Sequence, residues 1–189
     1  TPDAAARHGA PVADDLHEFL RAQSAARLAG WLKALADGDP EIDKRLRLYR
    51  AADDPAALKA ALAKLLNSGG FLDHRGSQRY ARRLGAVIEQ IRALLTRDPQ
   101  ECRALCEYVL GRLLRIYARS DDASGAIGDC LQAIAQLHAR ACAAAPPGKP
   151  LAKPLFALQQ LDEWGMLPLT AYWTALGSDG QRAYAKTIN

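Results

Sequence analysis

An all-α fold of stacked antiparallel helical hairpins is what this sequence predicts, and three observations predict it. Ala, Leu and Arg dominate the composition while Val, Ile and Thr are scarce. Helices favour the first group and strands the second. No segment shows the period-2 alternation of a half-buried strand. Helix starts are also unusually legible: Asp-Pro recurs at Asp39-Pro40, Asp54-Pro55 and Asp98-Pro99. Each places a capping carboxylate directly before a proline at the first helical position, where the missing N–H costs nothing.

The elements follow in order. A helix over about 14–22 turns Leu16, Phe19 and Leu20 inward. Ser24 caps the next, over about 25–37, with Leu28, Trp31, Leu32 and Leu35 on its apolar stripe. Two more cover about 40–51 and 55–67, the latter stopped by Ser68-Gly69-Gly70. Two long helices, about 75–96 and 99–119, come next. Glu101 sits three residues after Asp98 and completes a capping-box-like pair. A further long helix over about 122–145 ends at Ala145 to Pro150, a stretch that proline keeps from being helical throughout. Shorter helices are predicted near 151–163, 167–176 and 178–187. Short loops make sequential helices antiparallel neighbours. With no clean 34-residue repeat, the expected shape is an irregular, TPR-like α-solenoid.

The chain has 189 residues, 49% hydrophobic and 24% charged, which is a globular composition. A flexible N-terminal segment over 1–13 and a single helical-repeat-like domain over 14–189 are expected, the whole forming part of a longer protein. No apolar run approaches the roughly 20 residues that span a bilayer, and no signal-peptide core is visible. Cys102, Cys106, Cys130 and Cys142 all lie within helical patterns, which reads as reduced thiols in a cytoplasmic protein. The net charge is +4, and it is uneven. Between Phe71 and Ser120 stand ten Arg, no Lys and five Asp or Glu, a net +5, which leaves the remainder at −1.

Two blocks, FLDHRGSQRYARRLGAVIEQIRALL and RSDDASGAIGDCLQAIAQLHARAC, resemble a bacterial family of uncharacterised helical domains. Some members of that family lie C-terminal to a SWIM-type zinc finger. LHEFLRAQSAARLAGWLKALADGDPEI is similar to the family's opening helices, so the resemblance covers about 14–187. It implies an α-solenoid-like fold and little about function. The finger's own Cys and His ligands are absent from this chain, and Ala126 stands where the family usually carries one more acidic residue.

Four groups of residues are candidates for chemistry. Asp121, Asp122 and Asp129 surround Gly125 and Gly128, but their spacing is not that of an EF-hand loop. They are expected to begin a helix, with Asp122 as its cap and both glycines inside it, offset by close approach of the preceding helix or of a partner; the alternative is a ligand or partner surface. His138 falls on an apolar stripe opposite Asp129, with Cys142 one turn on. Antiparallel pairing sets both against Cys102 and Cys106. Three sulfurs and an imidazole would suit Zn²⁺, although small buried cysteines are ordinary core residues. No metal and no cofactor is therefore favoured. Arg75, Arg79, Arg82 and Arg83 share adjacent faces with Tyr80 between them, and Arg112, Arg115 and Arg119 form a second stripe. Arginine forks suit phosphate, while a solvated arginine face is the plainer reading. Trp164, Tyr172 and Trp173 are expected in the core between terminal helices.

No HExxH, GxSxG or P-loop motif is present, and Asp73-His74-Arg75, the most enzyme-like tripeptide, sits at a helix start. The expected function is that of a non-catalytic helical scaffold or protein-interaction domain with a protein partner. The alternative is a nucleic-acid-associated module using its arginine-rich helix faces.

Overall fold

Local capping chemistry sets most of the helix starts. In the computed structural model, which describes residues 12–188, Ser24 Oγ accepts from Arg27 N at 3.3 Å and starts α2 (Ala25–Gly38), which follows α1 (Val12–Arg21). Residues 1–11 lie outside the described residues, and 12 and 13 begin α1. Asp39 accepts from Glu41 N at 2.8 Å ahead of α3 (Pro40–Arg50). Asp54 accepts from Ala56 N and Ala57 N and opens α4 (Pro55–Leu65). Asp73 caps α5 (His74–Arg97), and Asp98 caps α6 (Pro99–Tyr117) through Glu101 N at 3.0 Å. After α7 (Ala126–Ala144) come a 3-10 turn (Lys149–Leu151), α8 (Ala152–Gln159) and α9 (Leu169–Ile188). α9 breaks at Gly177, whose φ of 60° is left-handed, so its two halves match the two terminal helices expected. α8 stops early because Asp162 takes Met166 N and Leu167 N, both at 2.8 Å, into a turn.

The chain forms two compact units, residues up to Asp43 and from Lys44 onward. In the first, Phe19 stacks on Trp31 with ring centroids 5.9 Å apart, and Arg27 lies over the same indole. Leu16 and Phe19 are not buried as expected: they are 59% and 50% exposed, because within this unit α2 offers them no buried surface.

In the second unit α5, α6 and α7 each pack on the other two. Their shared interior holds Leu84, Val87 and Ile91 of α5, Val109 and Leu113 of α6, and Leu131 and Ile134 of α7. A smaller apolar cluster joins the end of α7 to α8, the 3-10 turn and α9. Among the described residues all the regular elements are helical, and the only β-type pairing is an isolated parallel bridge between Leu72 and Ser120. It ties the loop before α5 to the loop after α6, with Leu72 N donating to Arg119 O and Asp121 N donating to Leu72 O. No described helix is long and apolar enough to cross a membrane.

Candidate functional site

The acidic loop is a capping device of unexpected reach. α7 starts at Ala126, three residues later than Asp122 capping in the usual way would place it. Gly125 occupies the cap position with φ 73°, which a side chain would resist. Asp122 reaches over this turn, its two oxygens accepting from Ile127 N at 3.0 Å and Gly128 N at 2.9 Å. Gly125 is therefore outside the helix, and its glycine is explained by conformation rather than by packing. At Gly128 an added Cβ would make only ordinary contacts, 3.5 Å from Met166 Cε and 3.6 Å from Tyr117 Cε2. Close approach does not demand glycine there either. Asp121 accepts from Ala123 N, and Asp129 is exposed.

Asp122→Ala is expected to cost about 1–2 kcal/mol, the usual range for a lost cap. Gly128→Ala should cost nothing, or stabilise by up to about 1 kcal/mol as any helical glycine would. Urea melts of the two variants check this; equal midpoints would refute the capping role.

Cys102, Cys106, His138 and Cys142 are all fully buried, Cys102 and Cys106 in the main core and Cys142 in the smaller cluster at the end of α7. Each has other business there. Cys102 donates to Ile91 O at 3.5 Å. Tyr172 of α9 donates its hydroxyl proton to Ala135 O at 3.2 Å, which leaves its oxygen to accept from His138 Nδ1 at 2.9 Å. That fixes the proton on Nδ1 and turns Nε2 toward Cys142 Sγ at 3.7 Å. Glu107 Oε1 stands 3.5 Å from Nε2, buried and without a hydrogen bond. Burial pushes the Cys142 thiol up to about 12. The hydrogen bond to Cys102, and then burial, push Cys106 up, while that same bond lowers Cys102. Burial also raises the Tyr172 hydroxyl. Among the described residues no three His, Cys, Asp or Glu side chains are arranged to hold a metal ion.

The arginine-rich start of α5 divides. Arg75, Arg79 and Arg82 are exposed, whereas Arg83 is half-buried. Tyr80 is not on that surface. It is 2% exposed, its hydroxyl donates to Leu66 O at 3.0 Å, and burial pushes its pKa up. Its place was readable: Leu84, Val87 and Ile91 follow it at i+4, i+7 and i+11, along the stripe that α5 buries. Asp73 is spent as the α5 cap at 2.6 Å from Gly76 N, and His74 pairs with Gln78.

Near the C-terminus Tyr172 is core, but Trp164 and Trp173 are not. Trp173 is 51% exposed and walls a groove of about 490 Å³ between α8 and both halves of α9. Leu155, Leu169, Leu176, Tyr184 and Ile188 supply most of the rest of its lining, which is almost wholly apolar. Tyr184 donates to Gln159 within it. The clue missed in the sequence is that Trp173 follows the buried Tyr172 directly, about 100° around the helix.

Fold and surface together define an all-α protein whose distinctive features are an apolar groove and basic helix faces over a core of packed helices. The chain belongs to a family of unknown function (DUF6880), whose model matches residues 17–189. No curated protein and no solved structure matches it.

Proposed function

We propose that this is a non-catalytic helical scaffold of the bacterial cytoplasm, and that it works by seating the apolar side chains of a partner protein's helix between α8 and α9. The groove carries this reading. Contiguous apolar surface of this kind, with a half-exposed tryptophan on its wall, is what helix-in-groove recognition uses. Tryptophan at such a place is commonly an energetic anchor. The free cysteines fit a reducing compartment. The Asp73-His74-Arg75 tripeptide supports a non-catalytic role, since its aspartate is occupied in capping.

Photocrosslinking from a benzoylphenylalanine placed at position 173, in the native host, identifies the partner. Binding is then measured with the purified pair. The crosslinked segment is expected to carry apolar residues at i, i+4 and i+7, and Trp173→Glu to weaken the pair about 30-fold, the equivalent of about 2 kcal/mol. A Trp173→Glu chain that binds like the parent overturns the reading.

A further inference from the structure

We propose that the arginine-bearing face of α6, on which Arg115 and Arg119 are exposed and Tyr108 and Arg112 half-buried, together with Lys59 of α4 and Phe71, binds single-stranded nucleic acid along its phosphate backbone. This site is separate from the α8–α9 groove and does not depend on it.

Four cations and two aromatic rings define the face. At 100° per residue, Tyr108, Arg112, Arg115 and Arg119 lie within about 60° of one another around α6 and its C-terminal turn. Arg112 and Arg119 stand about 10 Å apart along the axis at 1.5 Å per residue. Lys59 Nζ lies 5.3 Å from the centre of the Tyr108 ring, and Arg112 Cζ lies 5.0 Å from it. One ring thus holds a cation from each of two helices. Arg115 donates to Gly111 O, and Arg119 donates to Ser68 Oγ at 3.4 Å. Among the described residues none of these four cations meets a carboxylate in an ion pair. The exposed acid closest in sequence, Asp121, turns one oxygen to Ala123 N. The face therefore presents positive charge that the protein itself does not neutralise.

Phe71 adds what a merely solvated arginine face lacks. It is 71% exposed at the end of the Ser68-Gly69-Gly70 loop. Its neighbour Leu72 is bonded to the carbonyl of Arg119, so the ring is tethered at the Arg119 end of the stripe. A row of guanidiniums that tracks a backbone, beside an aromatic face on which a base stacks, is the combination that sequence-tolerant single-strand binders use. Tyr108 plays the other part: with cations drawn to its ring, it orients charge rather than offering a stacking surface.

The test is fluorescence anisotropy with a labelled oligothymidylate of about 20 nucleotides, long enough to cover one such site. Neutralising three phosphates gives a slope of log affinity against log salt near −2, so binding should weaken roughly 20-fold between 50 and 200 mM salt. The pair Arg112→Gln/Arg119→Gln should bind at least 10-fold more weakly with a slope flattened by about 1.4. Phe71→Ala should weaken binding several-fold with the slope unchanged. Arg182→Gln on α9 and Trp173→Glu should leave it unaltered, so failure here is distinct from failure of the groove. Absence of binding at 50 mM salt overturns the proposal, as does a double variant no weaker than Arg182→Gln. If inorganic polyphosphate of equal charge binds as tightly and Phe71→Ala has no effect, the face is a general polyanion surface and the nucleic-acid assignment is wrong.

Discussion

Tyr172→Ala is expected to destabilise the protein by about 3–5 kcal/mol, the range for removing a large aromatic side chain from a packed core. Tyr172 is fully buried where α9 meets α7, and its ring lies 5.1 Å from that of His138. Part of the loss is polar. The Tyr172 hydroxyl is the partner of His138 Nδ1, and His138 is itself fully buried. Tyr172→Phe keeps the ring and deletes the hydroxyl, so the His138 Nδ1–H loses its acceptor. That costs about 1–3 kcal/mol, or roughly 2–12 °C of melting temperature for a chain of this size. Ala135 O also loses its second donor, but a helical carbonyl with one partner tolerates this better than an orphaned N–H. Thermal melts of the two variants separate the contributions. If Tyr172→Phe melted with the parent, His138 would have to be held by something other than this hydroxyl.

Gly180→Ala is expected to cost about 1–3 kcal/mol by overpacking, although alanine is the better helix former. A Cβ at Gly180 would stand 3.0 Å from Gly148 O and 3.1 Å from both Gly148 C and Leu176 Cβ. The obstacle is backbone, and it is pinned. Gly148 N donates to Ala175 O at 3.0 Å, and Gly148 holds a φ of 63°. To relieve the contact, the loop after α7 must lift off α9. Gly85, in the middle of α5, has nothing within 4 Å of its would-be Cβ. The same substitution there should stabilise by roughly 0.5–1 kcal/mol through the lost entropy of glycine in the unfolded chain. Urea unfolding of both variants is the check, and the opposite signs are the point: if Gly180→Ala were neutral or stabilising, the approach of Gly148 could not be a tight one.

The helix starts at Ser24, Asp39, Asp54 and Asp98 were legible because each is decided within three residues by a side chain and the backbone beside it. The same holds for the break before the last helical segment, where Gly177 supplies a conformation open to few other residues. That Cys102, Cys106, His138 and Cys142 all lie on buried helix faces was also legible, since each falls on an apolar stripe of its helix. Their partners were not. Tyr172 lies thirty-four residues from His138, and nothing local announces it.

Asp122 shows how a correct role can go with a wrong geometry. Capping was readable from an aspartate before a helical pattern. The left-handed Gly125, which moves the helix start to Ala126, was not, because Asp122 makes its bonds from outside the turn. Aromatics fared worst. Tyr80, assigned to a basic surface, is core; Trp173, assigned to the core, is half-exposed; and Tyr108 holds the cations of α4 and α6. Composition, periodicity and caps were enough for the all-α class and for the order and approximate extent of its helices, because they act between residues close in the chain. Which side of a helix meets water depends on which other helix covers it. That is settled by contacts between distant residues, and it turned Tyr80 inward and left Phe71, Trp173 and the arginines of α6 as the surfaces on which function is proposed.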